Sequence, residues 1–266
     1  MGKRYKLGVI GAGFMAQSIV KGVLSSNSVK NCEIIVSDIS VDALNSLGKL
    51  GVSTTTNNDD VFHNAEYVLL AVKPQTFATF NISNINVKKI ISIMAGINKA
   101  KIKEKFPSSK VVRCMPNTPV SVGFGAVGID CGDIDLIEDK EFVKNLFSSV
   151  AKVVFVEEDK LLAVTGVSGS APAYFYLFAK SLIDAGVNNG LTKEQAETLV
   201  VATMKGSAEM INSRGGKSLD DLISAVCSKG GTTIEAMKKF EENNLLDIVN
   251  QSVEACVARA KELENI

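Results

Sequence analysis

Two hydrophobic periods divide the chain. Up to about residue 157, short β-branched runs alternate with stretches whose apolar residues recur at helical spacing, the pattern of an α/β domain with a parallel sheet. "KLGVIG" (6–11), "CEIIVSD" (32–38), "EYVLLAV" (66–72), "KIISIMA" (89–95), "KVVRCM" (110–115), "GAVGI" (125–129) and "AKVVFV" (151–156) read as strands. Helices are expected between them at 14–26, at 40–50 with Ser40 as N-cap, at 99–106 and at 139–150. From residue 158 the period is helical throughout, over 159–190, 192–211, 218–226, 233–244 and 245–266. Thr192 followed by Gln195 three residues on is a capping-box pattern. The expectation is an α/β domain over 1–157 and an all-helical domain over 158–266.

The helical half carries more apolar residues than it can hide alone. "LVVATMKGSAEMI" is apolar or small on nearly every face, so association between copies through this domain is expected. Net charge is +0 with acids and bases mixed throughout, which argues against a nucleic-acid partner. No apolar run approaches the roughly 20 residues that span a bilayer, and the N-terminus reads as a strand rather than a signal peptide. The five cysteines are odd in number and scattered, with no CxxC pair. That argues against a disulfide framework or a metal site and for a reducing compartment, most simply the cytoplasm. The one histidine, His63, lies in a polar stretch and reads as a surface residue, so any proton chemistry here runs without histidine.

"GVIGAGFMAQS" places Gly11, Gly13 and Ala16 at G-x-G-x-x-A spacing, directly after the first strand and at the opening of a helix. The first glycine permits a tight turn, the second lets backbone approach a pyrophosphate, and Ala16 lets helix pack close to strand. This predicts a Rossmann-type dinucleotide site on Gly11, Ala12, Gly13, Phe14, Met15 and Ala16. Asp38 ends the second strand, where a carboxylate accepts from the adenosine ribose hydroxyls and disfavours a 2′-phosphate. Ser37 and Ser40 are alternative phosphate partners, so NADH and NADPH both stay open. Lys73 and Pro74 end the 66–72 strand, where strand ends face the ligand, and read as a cofactor contact and a strand stop. "RCMPNTPVSVG" ends another strand in a rigid polar turn, read as part of the substrate mouth or as a simple crossover.

In the helical half, "CSKGGTTIEAM" breaks the pattern. Two glycines ahead of a helix N-terminus near Thr233 suit a small carboxylate, because first-turn amides and the helix dipole attract anions. The residues alone equally fit a helix C-cap followed by an N-cap.

Together GAGFMA (11–16), AVKP (71–74), MPNTP (115–119), VTGVSGSAPAYFY (164–176) and CSKGGTT (227–233) resemble, in order and spacing, the motifs of pyrroline-5-carboxylate reductases. The likeness runs along nearly the whole chain. It implies a fold related to 6-phosphogluconate dehydrogenase, interlocked helical homodimers that assemble into larger rings such as decamers, and reduction of Δ1-pyrroline-5-carboxylate to L-proline with NADPH or NADH. By resemblance, Ser228, Gly230, Gly231, Thr232 and Thr233 bind the substrate, with the Thr233 hydroxyl reaching the ring nitrogen as the catalytic group. Cofactor contacts fall on residues 11–16, Asn58, Val72, Lys73 and Ala95. Lys229 stands where the family has proline, and Ala171 where it has glycine.

A cyclic imine suits these residues. Once protonated, C=N already draws hydride, so the demand is for positioning, with the ring carbon about 3–3.5 Å from the hydride donor. A threonine hydroxyl then suffices for the nitrogen's proton. A β-hydroxyacid dehydrogenase would need a lysine soon after the Gly-rich helix start, and Lys180 is at the wrong offset. A non-catalytic dinucleotide-binding protein fits poorly with an intact GGTT run.

Overall fold

The computed structural model describes residues 4–80 and 87–265. The first three residues of the N-terminal stretch, and the last residue of the helix expected to end at 266, lie outside these.

An eight-stranded sheet organises the first part of the chain: β1 (Tyr5–Ile10), β2 (Ile34–Ser37), β3 (Ser53–Thr55), β4 (Ala65–Leu70), β5 (Lys89–Ser92), β6 (Lys110–Pro116), β7 (Gly125–Asp130) and β8 (Ala151–Phe155), in the order β3-β2-β1-β4-β5-β6-β7-β8. Its strands read as apolar runs because both faces are covered. Leu7, Val9, Ile34, Val36 and Leu69 pack with helix residues Ile19, Val20 and Leu47 in one cluster, while Ile10, Ile35, Val68, Leu70 and Ile90 pack with Val61 and Ile102 in another. Helices α1 (Phe14–Ser25), α2 (Val41–Gly48), α3 (Asn58–Asn64), α4 (Pro74–Ala78), α5 (Lys99–Lys105) and α6 (Ile137–Ser148) connect the strands. Ser40 caps α2 as expected, its Oγ accepting from the Ala43 amide at 3.3 Å.

The expected parallel sheet is corrected at one place. β6 and β7 pair antiparallel, with Cys114 opposite Ile129. Only a short turn through a 3₁₀ segment, Thr118–Val122, joins them, too short for the crossover that a parallel pair requires. The strand order reverses between β1 and β4, and ligands of such sheets bind beyond the carboxyl ends of the strands at that point.

The helical stretch expected over 159–190 is interrupted. A 3₁₀ turn (Glu158–Lys160) and α7 (Leu161–Val164) lead into a π-type turn, Thr165–Gly169, before α8 (Ala171–Asn188). Ser170 N donates to Thr165 O at 2.9 Å and closes the wide turn. By length and composition the stretch Glu158–Asn188 is apolar enough to cross a bilayer, which corrects the reading that nothing approaches that length. Residues 161–179 carry no charge, but Thr165, the serines, the glycines and Pro172 break up the apolar residues, so no continuous apolar run announces it.

The chain divides into two compact units, residues 1–170 with 256–266, and residues 171–255. The division falls later than residue 157 because the intervening segment packs on the sheet. Leu161 is buried, and a Cβ on Gly128 would come within 2.8 Å of Val164. The second unit is built of α8, α9 (Lys193–Asn212), α10 (Leu219–Val226), α11 (Thr232–Glu242) and most of α12 (Leu245–Asn265). The capping box holds, with reciprocal bonds between Thr192 and Gln195. Among the described residues, Ala171 and Ala196 are the buried apolar residues of this unit. Phe175, Tyr176 and Leu177 are each at least 60% exposed in the single chain.

Candidate active site

The glycine turn after β1 is built as its spacing predicts. Gly11 takes φ +100°, and a Cβ there would lie 2.8 Å from Ala71 O and 3.0 Å from Val72 Cγ1. Only glycine fits both the conformation and the approach. The turn therefore abuts the carboxyl end of β4, where Ala71, Val72 and Lys73 follow the strand. Gly13 is the N-cap of α1 with no side-chain cap, and space around its missing Cβ is open. The first-turn amides of Phe14, Met15 and Ala16 thus offer donors and positive potential with no side chain drawn over them. Ala16 is buried and sets the helix close against the sheet. This is a cradle that fits a pyrophosphate.

At the end of β2, Asp38 turns back on this cradle. Its Oδ2 accepts from Ala12 N at 2.5 Å and its Oδ1 from Ser40 N at 2.8 Å. The neighbouring serines are committed elsewhere. Ser37 is fully buried and donates to Asn58 Oδ1 at 2.7 Å, while the Ser40 hydroxyl caps α2. Asn58 is the first residue of α3, a helix that the polar "NNDDVFHNAEY" stretch concealed. Lys73 is the exposed N-cap of α4 with Pro74 at its first position; β4 has already stopped at Leu70, so the proline opens a short helix and does not end the strand as expected.

Two of the motifs meet. Asn117 of the MPNTP turn donates through Nδ2 to Ser168 O at 3.3 Å, inside the π-type turn, and its Oδ1 accepts from Ala126 N at 2.9 Å. Its side chain is thus a brace between β7 and the 165–169 turn; sequence spacing did not show this pairing. Ala95 was expected at the end of a strand, but β5 stops at Ser92, and Ala95 sits exposed in the turn beyond it, followed by Gly96 at φ +72°.

In the second unit, residues 228–231 form a tight turn closed by Gly231 N donating to Ser228 O at 3.0 Å. The two glycines have separate reasons. Gly230 is left-handed at φ +73°, whereas Gly231 allows the backbone to pass Ser228, whose Oγ lies 2.4 Å and whose O lies 3.1 Å from where a Cβ would be. Gly231 is the N-cap of α11 without any side-chain cap. The helix starts at Thr232, one residue earlier than expected, so Thr233 lies inside the first turn and is not the capping residue. Thr232 and Thr233 are exposed there, as are Ser228, Lys229 and Gly230. His63 is exposed on α3, its Nδ1 against Asp59 O at 2.8 Å, remote in sequence from either cradle. Among the described residues no group of three or more His, Cys, Asp or Glu could hold a metal.

A family model described as "Pyrroline-5-carboxylate reductase dimerisation" matches residues 158–263, and one described as "NADP oxidoreductase coenzyme F420-dependent" matches residues 6–96. The chain is 35% identical over 267 residues to a pyrroline-5-carboxylate reductase of Vibrio alginolyticus, covering 98% of each. Among solved structures, a pyrroline-5-carboxylate reductase from Coxiella burnetii superposes with TM-score 0.86 at 34% identity, covering 98% of this chain and 99% of that one. The pyrroline carboxylate reductase of Plasmodium falciparum, solved with NADP bound, gives TM-score 0.84 at 29% identity and covers 99% and 100%.

Proposed function

The chain belongs to the pyrroline-5-carboxylate reductase family, and from that membership we propose that it reduces Δ1-pyrroline-5-carboxylate to L-proline with NADH or NADPH, the last step of proline synthesis. The observation that carries the substrate half of this reading is the uncapped N-terminus of α11 behind the Gly230–Gly231 turn. A helix of this length presents unpaired first-turn amides and a positive pole, which hold a carboxylate without any lysine or arginine.

The residues of the first unit that would hold the cofactor are Gly11 to Ala16 at the pyrophosphate, Asp38 with Ser37 and Asn58 behind it at the adenosine ribose, and Val72, Lys73, Pro74 and Ala95 beyond the strand ends. When bound, NAD(P)H supplies the hydride. Ser228, Gly230, Gly231 and Thr232 orient the ring by its carboxylate. The protonated imine would take that hydride at its C=N carbon, the atom that becomes C5 of L-proline, and the C=N π pair would become the lone pair of the secondary amine. Thr233 Oγ1 hydrogen-bonds the nitrogen and relays its proton, a role that needs no histidine.

Residues 158–266 serve as the substrate and dimerisation domain. The exposure of Phe175, Tyr176 and Leu177 in the single chain supports a homodimer through the helices, which covers them in the cytoplasm. Light scattering distinguishes that dimer from the decameric ring that the family resemblance implies. The activity is tested by following reduced-cofactor absorbance on adding pyrroline-5-carboxylate, beside the reverse assay with a 3-hydroxy acid and oxidised cofactor. Oxidation in the first assay alone supports the reading. Turnover in the second alone points to a hydroxyacid dehydrogenase, and silence in both to a binding protein.

A further inference from the structure

The end of the chain returns to the nucleotide-binding unit. From Cys256 onward α12 belongs with the sheet, and the Cys256 thiol donates to Ser170 Oγ at 3.2 Å. Two turns later Leu263 lies against Gly96, where an added Cβ would stand 3.0 Å from the leucine Cβ. Gly96 is therefore glycine for two reasons, its left-handed φ of +72° and the wedge of Leu263.

Arg113, on β6 and only 4% exposed, links that tail to the turn after β5. One guanidinium nitrogen reaches Glu264 Oε1 at 2.7 Å, and the other reaches Glu158 Oε1 at 3.1 Å. The same Glu158 oxygen accepts from Lys99 N at 2.8 Å, at the start of the helix that follows the Ala95–Gly96 turn. A cavity of about 240 Å³ is lined by Ala95, Gly96, Arg113, Leu263 and Glu264 together. A buried arginine with two carboxylates is held in one geometry; one carboxylate is next to Leu263, which packs on Gly96, and the other also takes the Lys99 amide three residues beyond Gly96.

We propose that Glu264 is a positioning residue for cofactor binding: through Arg113, and with Leu263 as the wedge, it fixes the Ala95–Gly96 turn against which the cofactor docks. This rests on the assignment of Ala95 to the cofactor in the reading above. The last turn of the dimerisation helix is thereby part of the nucleotide site.

The test is a titration of NADH fluorescence with Glu264→Ala, Glu264→Gln and Leu263→Ala, alongside steady-state kinetics and thermal melts. Glu264→Ala raises Kd and KM for the reduced cofactor by about tenfold and leaves KM for pyrroline-5-carboxylate within about twofold. Glu264→Gln, which keeps an oxygen for the Arg113 guanidinium, recovers most of that loss. If Glu264→Ala does not fold, Leu263→Ala, with the charges intact, shows the same cofactor-side shift. A Kd within about twofold of wild type in folded Glu264→Ala, whether or not its melting temperature falls, overturns the proposal. The titration needs no turnover, so absence of pyrroline-5-carboxylate reduction with these shifts intact would overturn the proposed activity and not the role of Glu264.

Discussion

The carboxylate of Asp38 accepts a hydrogen bond from the backbone amide of Ala12 at 2.5 Å, tying the end of β2 to the glycine turn after β1. A second bond from Ser40 N fixes the other oxygen. The acid is thus held rigidly at the place where an adenosine ribose lies in this fold. With Ser37 buried and the Ser40 hydroxyl used as a cap, neither serine is available to greet a 2′-phosphate.

Cofactor preference follows from this relationship. KM for NADH is expected to be about tenfold or more below that for NADPH, because a fixed carboxylate repels the extra phosphate. Asp38→Ser narrows or inverts the ratio while loosening the turn. Steady-state kinetics with both cofactors check it, and a strong NADPH preference in the unmodified protein refutes the assignment.

Thr233 stands in the first turn of α11, free of the capping duty that a threonine at such a place often has. Thr233→Ala should lower kcat/KM by about 10²–10⁴-fold, and Thr233→Ser should keep most of the rate. Wild-type turnover in the alanine variant removes Thr233 from the chemistry.

The turn before it separates substrate binding from cofactor binding. Gly231→Ala pushes a methyl against Ser228 and should raise KM for pyrroline-5-carboxylate by about tenfold, with the Kd of NADH unchanged. Equal changes in both constants would mean that the variant disturbs the fold and that the turn is no carboxylate cradle.

At the amino ends of the strands, Lys89 bridges Asp139 at 2.7 Å and Glu66 at 3.1 Å, and Tyr67 donates to Asp139. Burial pushes the Asp139 carboxyl up, but the bonds from Lys89 and Tyr67 outweigh it and hold it below the ordinary carboxylate value. Burial likewise pulls Lys89 down, and the bonds to Asp139 and Glu66 carry it above the ordinary lysine value. The lowered acid stabilises the fold above the ordinary carboxylate range and loses that contribution as pH falls through its depressed value. The raised lysine stabilises below the ordinary lysine value and loses its share only as pH climbs through the raised one. Stability from this network is therefore level near neutrality and falls in acid. Asp139→Asn should cost about 1–3 kcal/mol near neutral pH and flatten the acid limb, as read by urea melts across the range. Identical melts for both proteins would contradict this.

Much of this was legible in the sequence because the signals were local. β-branched runs marked seven strands, Ser40 and Thr192 marked helix starts, and G-x-G-x-x-A marked the nucleotide turn. β3 escaped because "STT" at the sheet edge has no buried face to pattern it, and α3 because its two buried residues, Val61 and Phe62, are submerged in polar neighbours. The antiparallel β7 was hidden since periodicity carries no direction; only the shortness of the link does. The brace from Asn117 to Ser168 and the return of Glu264 to Arg113 span 51 and 151 residues, separations that no local pattern encodes.

The most direct measurement is a crystal structure of the protein with oxidised cofactor and L-proline together. The proline carboxylate is expected on the amides of Gly230, Thr232 and Thr233, the pyrophosphate on those of 13–16, and ring C5 about 3–3.5 Å from nicotinamide C4. Proline bound away from residues 228–233, or a nicotinamide too distant for hydride to pass, would contradict it.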